Sequence, residues 1–149
     1  MYLVDDLVWF MIIRTALWAV LNYAIDWIVK SYLDVGDTIK TIVTYVLITQ
    51  IILHLLICFV DAGTLFEDEE DDYGQERIYC ITCKLYRKNN SKHCIWCNRC
   101  TKYYDHHCSI FGKCIGKRNI VFFWMFILIC GLEMPGMIVL LATHVAGKL

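Results

Sequence analysis

Three long apolar segments dominate the chain, and a polar, cysteine-rich stretch separates the second from the third. Residues 7–29 read LVWFMIIRTALWAVLNYAIDWIV, residues 39–60 read IKTIVTYVLITQIILHLLICFV, and residues 120–146 read IVFFWMFILICGLEMPGMIVLLATHVA. Each exceeds the roughly 20 residues a helix needs to cross a hydrocarbon core of about 30 Å. The pattern therefore predicts three transmembrane helices. The polar residues inside them mark interfaces or helix packing. Arg14 lies near the start of the first segment and can snorkel to the membrane surface, and Asp26 shares a helix face with Asn22 near its far end. The third segment contains Glu133, Pro135 and Gly136. Divided there, it leaves two pieces of about 12 residues, each too short to span. One long tilted helix, kinked near Pro135, is expected, with a re-entrant hairpin as the alternative. Glu133 is costly in that setting unless it faces protein or water.

The first segment does not read as a signal peptide: its flank, MYLVDD, has no Lys or Arg, and its apolar stretch is too long. Residues 30–38 make a short connection that favours a helical hairpin. The connection from 61 to 118 is long and divides by charge. Residues 61–76 hold Asp61, Glu67, Asp68, Glu69, Glu70, Asp71, Asp72 and Glu76, more than half of the 15 acids. Residues 77–118 hold ten of the 14 bases, which puts this loop and the N-terminus in the cytosol and the C-terminus opposite. The acidic run is expected to be a solvated linker. The expected organisation is a transmembrane hairpin over 1–60, an acidic linker over 61–76, a cysteine-rich domain over 77–118 and a third span with the C-terminus over 119–149. Trp9, Trp27 and Tyr32, near segment ends, fit interfacial aromatic belts.

Composition agrees. Of 149 residues, 58% are hydrophobic and 19% charged, and the net charge is -1. These values exclude disorder and argue against a basic nucleic-acid binder. One Pro and 8 Gly exclude collagen-like sequence. The nine Cys and five His are a large excess that the spans do not explain. Cys58 and Cys130 lie within spans and read as small apolar residues. His54 and His144 read as packing or interface groups.

The other seven Cys, with His93, His106 and His107, lie between 80 and 114. They run Cys80-x2-Cys83, then His93-Cys94-x2-Cys97-x2-Cys100, then Asp105-His106-His107-Cys108, and finally Cys114. A luminal loop would use them as disulfides, a cytosolic one for metal or catalysis. The charge argument favours metal. C-x2-C pairs suit Zn²⁺, which takes four Cys or His ligands in a tetrahedron. Two such sites need eight groups; ten are on offer, and spacing does not say which two are left over. If they are His106 and Cys108, an acid, an imidazole and a thiol sit together on one turn. A His beside a Cys makes a nucleophile with its base, and Asp105 can orient that base. The other outcome is that all are ligands or that some are idle.

At these residues the sequence resembles the DHHC family of integral-membrane protein S-acyltransferases (palmitoyltransferases). The resemblance runs from Cys80 to Phe123 and includes Ser91-x-His93-Cys94, Asp105-His106-His107-Cys108, Cys114-Ile115-Gly116 and Asn119-x3-Phe123. It implies one structural zinc on Cys80, Cys83, His93 and Cys100, and a second on Cys94, Cys97, His107 and Cys114. It implies Cys108 as nucleophile, His106 as base and Asp105 as its orienting acid. Acyl transfer would run from palmitoyl-CoA to Cys108 and then to a cysteine of a cytosolic or membrane protein. The acyl chain would lie among the spans, where burial is worth about 0.8 kcal/mol per CH₂.

The sequence also departs from the family pattern. Arg87 is followed by Lys88 rather than Pro, Ser109-Ile110 replace Pro-Trp, and Lys113 replaces Asn. The usual fourth span and Thr-Thr-x-Glu element do not follow the third segment. The expectation is a shortened member or a truncated product, with self-association completing the acyl cavity. The competing function is a catalytically impaired membrane zinc scaffold; a RING-type ubiquitin ligase fits the spacings less well. The resemblance implies an endoplasmic reticulum or Golgi membrane, with the zinc domain facing the cytosol. No nucleic-acid partner is expected.

Overall fold

A computed structural model describes residues 4–32, 36–69 and 77–147; of residues 4–12, 14 and 32 it describes the backbone alone. The expectations for Trp9, Arg14 and Tyr32, and for the acids from Glu70 to Glu76, lie outside what is described. The chain divides into two compact units, Met1–Leu55 with Trp124–Leu149, and Leu56–Phe123.

The first unit is helical. Its elements are α1 (Val4–Tyr32), most of α2 (Asp37–Phe59) and most of α3 (Ile120–Ala146). At 1.5 Å per residue, the 23 residues of α2 and 27 of α3 reach about 34 and 40 Å, enough to cross a bilayer core. These two are, among the described residues, the helices long and apolar enough to do so. α3 runs unbroken through Pro135, so the re-entrant alternative does not form.

The helices meet through polar and aromatic groups. Trp18 of α1 stacks on His54 of α2 with ring centroids 4.9 Å apart, and Phe126 of α3 packs against both. Thr15 Oγ1 lies 3.1 Å from His54 Nε2. Asp26 pairs with Lys30 at 2.9 Å, and Asn22 donates to the Trp18 carbonyl. Glu133 finds its partner in Gln50, fully buried on α2, whose Nε2 donates to the Glu133 carboxylate. Large apolar side chains such as Leu17, Val20, Leu132 and Ile138 point outward. Polar groups inside and apolar groups outside suit a lipid surround, in which polar side chains hold helices together.

The second unit carries three two-stranded antiparallel hairpins: β1 (Arg77–Cys80) with β2 (Leu85–Lys88), β3 (Lys92–Cys94) with β4 (Arg99–Thr101), and β5 (His106–Cys108) with β6 (Lys113–Ile115). Strands of three or four residues are too short to show alternation in the sequence. Their registers match: Cys80 pairs with Leu85, Cys94 with Arg99 and Cys108 with Lys113.

The stretch after α2 departs from the expected solvated linker. Asp61 accepts hydrogen bonds from the Gly63 and Thr64 amides and the Thr64 hydroxyl. Asp68 accepts from the Tyr86 amide and Glu69 from the Lys88 amide. The reason is local: β2 has amides on its outer edge, and an unpaired buried amide is costly. The acids fill that edge.

Candidate functional site

The strand pattern sorts the cysteines. Side chains alternate along a strand, and cross-strand partners share a face. His93 and Cys100 are cross-strand partners on β3 and β4, as are His107 and Cys114 on β5 and β6. Cys94 follows His93 and so faces the other way. Each tight turn before β2 and β4 brings a second pair, Cys80 with Cys83 and Cys94 with Cys97. The result is two clusters: Cys80, Cys83, His93 and Cys100, and Cys94, Cys97, His107 and Cys114, with ligand atoms within 4.8 Å of one another in each. No cysteine is in a disulfide.

The spacing inside the clusters suits a metal. In the first, His93 Nδ1 lies 3.2 Å from Cys83 Sγ and 3.9 Å from Cys100 Sγ. In the second, His107 Nδ1 lies 3.5, 3.4 and 4.0 Å from the sulfurs of Cys94, Cys97 and Cys114. Bonds of about 2.3 Å to sulfur and 2.0 Å to nitrogen make tetrahedron edges of about 3.5–3.8 Å. Each cluster could hold one metal ion, and its three Cys and one His are a zinc-type set.

Thiols so close contest protons. The hydrogen bond from Cys114 outweighs burial and, with the His107 charge, brings Cys97 down to about 5. The same bond, with burial, pushes Cys114 up. Burial and the neighbouring Cys80 and Cys83 raise Cys100. A central cation relieves such competition by stabilising every thiolate. The Cys83 and Cys97 amides already point at Cys80 Sγ and Cys94 Sγ, at 3.5 and 3.4 Å.

His106 and Cys108 belong to neither cluster. They are two residues apart on β5, on the face opposite His107. His106 Nδ1 lies 2.9 Å from Asp105 Oδ2, a contact that selects the tautomer in which Nδ1–H donates to the carboxylate; in the neutral form of that ring Nε2 carries the lone pair. Phe123 packs edge-on against the His106 ring at 5.1 Å, and Phe111 packs on Phe123. Asp105 is itself pinned by its amide, which donates to the Ile115 carbonyl.

The sequence model of the family described as DHHC palmitoyltransferase matches residues 74–147. The chain belongs to the DHHC palmitoyltransferase family. Palmitoyltransferase ZDHHC14 of Mus musculus is 43% identical over 70 residues, 47% of this chain and 14% of that protein. Palmitoyltransferase ZDHHC9 of Homo sapiens is 48% identical over 50 residues, 34% of this chain and 14% of that protein. Probable protein S-acyltransferase 5 of Arabidopsis thaliana is 52% identical over 50 residues, 34% of this chain and 10% of that protein. The chain thus aligns with about one-seventh or less of the length of these curated relatives.

Residues around this DHHC strand have supporting roles that the cysteine spacing does not reveal. Lys113, which departs from the family's Asn, donates from Nζ to the carbonyls of Cys58 and Val60, both at 2.8 Å. It thereby fills orphan carbonyls at the end of α2. Burial depresses its basicity, while Cys58, Asp61 and the cluster thiols work in the other direction. Asn119 is fully buried; its side chain accepts from the Gly116 amide and donates to the Cys114 carbonyl. Gly116 is required by space, because a Cβ there would sit 2.7 Å from the Ala62 carbonyl oxygen. Burial, with the Cys94 and Cys114 sulfurs nearby, raises Tyr104. The family's Trp position holds Ile110, which is exposed, so it makes no packing layer beside Cys108.

Proposed function

We propose that this chain is an integral-membrane protein S-palmitoyltransferase, with an acyl-enzyme intermediate on Cys108. The proposed organisation is three spans, α1, α2 and α3, with the zinc domain over 77–118 in the cytosol. An acidic stretch over 61–76 joins that domain to the hairpin over 1–60, and 119–149 forms the third span. Cys80, Cys83, His93 and Cys100 hold one zinc; Cys94, Cys97, His107 and Cys114 hold the other. When bound, these ions supply structure: they fix the hairpins that carry the reacting groups.

The reaction is two thioester exchanges. His106 takes the Cys108 proton on Nε2, and Asp105 holds the imidazolium. The Cys108 thiolate attacks the acyl carbon of palmitoyl-CoA; the bond to the CoA sulfur breaks, and the CoA sulfur leaves with the proton from His106. A thiol of the protein substrate then gives its proton to His106 and attacks the acyl carbon; the bond to the Cys108 sulfur breaks, and Cys108 leaves with the proton from His106, restoring both groups. One thioester is exchanged for another at each step, so no external energy source is needed. Substrates are cytosolic or membrane proteins bearing cysteine, at an endoplasmic reticulum or Golgi membrane. Self-association would supply apolar surface for the acyl chain.

The observation that carries this reading is the 2.9 Å Asp105–His106 hydrogen bond on the strand face that bears Cys108, outside both metal clusters. Cys108 is only 7% exposed, which favours the second reading, a catalytically impaired membrane zinc scaffold. Acyl loading separates the two. Purified protein incubated with labelled palmitoyl-CoA should form a hydroxylamine-sensitive adduct that Cys108→Ser abolishes. His106→Ala should lower the loading rate by about 10²–10⁴-fold and keep both metal ions. Wild-type protein with full metal content and no adduct would establish the scaffold.

A further inference from the structure

The three hairpins repeat one another. Cys80, Cys94 and Cys108 recur every 14 residues, and so do His93 with His107 and Cys100 with Cys114. The backbones agree. In each hairpin the first cysteine pairs across the ladder with the residue five positions on. In each, the fourth residue after that cysteine is left-handed: Lys84 with φ 55°, Asn98 with φ 50° and Gly112 with φ 64°. A left-handed Lys is uncommon, so a shared turn geometry is enforcing it.

The repeat explains how the metals are shared. Each cluster combines the two turn cysteines of one hairpin with the cross-strand His–Cys pair of the next. A row built this way has an unused half at each end. In the first hairpin, the positions matching the His–Cys pair are Tyr79 and Tyr86, cross-strand partners with rings 5.0 Å apart. In the third, the turn matching Cys80–Cys83 and Cys94–Cys97 carries Cys108 and Phe111. Phe111 is 3% exposed and packs on Phe123, the ring that also packs on His106.

We propose that the Cys108 hairpin is a third copy of the metal-binding turn, emptied of metal by Phe111, and that Phe111 is the positioning residue that leaves the Cys108 thiol free. This deepens the acyltransferase reading and rests on it for the meaning of a free thiol. The turn holds Cys108 in the backbone geometry of a metal thiolate, and an aromatic ring occupies the place of the second ligand. With a single sulfur the turn cannot chelate a thiophilic cation; a second soft ligand at position 111 would make a two-ligand clip, with water filling the remaining coordination positions.

The test uses the full chain in detergent with both native metals loaded. Zn²⁺ is the probe, and iodoacetamide alkylation of Cys108, mapped by mass spectrometry, is the readout. In wild type and in Phe111→Leu, added Zn²⁺ should leave Cys108 alkylation unchanged. In Phe111→Cys, Zn²⁺ should slow it by at least about tenfold and raise metal content by about one ion per chain. If that variant loses a native metal, Phe111→His supplies the missing ligand in a larger side chain and should show the same protection. Zn²⁺ protection of wild-type Cys108 would overturn the proposal. So would unprotected Cys108 in a ligand-bearing variant that keeps both native metals. Neither outcome depends on acyl loading, so a wild type that fails to load overturns the acyltransferase reading and leaves this result intact.

Discussion

The helical unit buries Gln50, His54 and Asp26 while Leu17, Leu132 and Ile138 face outward. The hairpin unit buries five of the seven cysteines between 80 and 114 only partly by apolar packing, around Leu65, Leu85, Phe111 and Ile115. The first arrangement needs a solvent that is itself apolar; the second needs few apolar contacts if metal coordination closes it. The contrast shows that a single chain can meet the cost of ordering in two ways. Long helices satisfy their own backbone and let lipid cover their sides. Very short strands, which bury little apolar surface, can be held by metal ligands brought together through register.

The largest test of this contrast is removal of metal. Structural zinc sites contribute about 10–16 kcal/mol each, against a typical domain stability of about 5–15 kcal/mol. A strong chelator should therefore unfold the hairpin unit and leave helical circular dichroism nearly intact. Limited proteolysis would report it, and persisting protection of 77–118 after both ions are gone would break the comparison.

Gly116→Ala should come next. Its Cβ would meet the Ala62 and Lys102 carbonyl oxygens at 2.7 and 2.9 Å, and backbone yields little. A loss of about 1–3 kcal/mol is expected, visible as a lower denaturant midpoint of the metal-loaded hairpin unit, with the helices unaffected.

Gln50→Leu tests the other unit. It removes the donor to Glu133 and should cost about 1–2 kcal/mol of helix association. Thermal unfolding in detergent would show the loss, and metal content should not change. A variant in which Glu133 is also replaced by Leu should recover part of it, because no carboxylate is then left without its donor.

The smallest effect is expected from Asp61→Ala, under about 1 kcal/mol because the carboxylate is partly exposed. Burial pushes Asp61 up, but the Thr64 and Gly63 hydrogen bonds and the Lys113 charge together hold it below its ordinary value of 3.8. A depressed folded value means that this contribution is fully present above 3.8 and is lost as pH falls through the folded value. Wild type and Asp61→Ala should therefore converge in stability in acid, once differences in bound metal are held fixed. Divergence on acidification would contradict the sign.

Much of this was legible in the residues. Segment length and hydropathy located α2 and α3, and C-x2-C spacing located the turns that feed the two cysteine clusters. The 14-residue period was equally present, yet two-residue gaps draw attention to pairs and away from repeats, and Phe111 interrupts the pattern at its third turn. Lys113 and Asn119 were not legible as supports, because their partners are carbonyls of Cys58, Val60 and Cys114. Backbone acceptors carry no sequence signature. The acids at 68 and 69 looked like solvated charge for the same reason: their donors are β2 amides.

By itself the sequence determined the inventory: apolar segments of spanning length, ten candidate ligands for two sites, and the Asp105–His106–His107–Cys108 run. It could not determine which groups face which way. That was decided by three hairpins in matching register. Alternation along β5 sends His107 to the metal cluster and His106 with Cys108 to the opposite face, and along β3 it divides His93 from Cys94. Neighbours in sequence are separated by a strand's pleat, while residues 7 to 20 positions apart meet across hairpins, and only the folded register sets both.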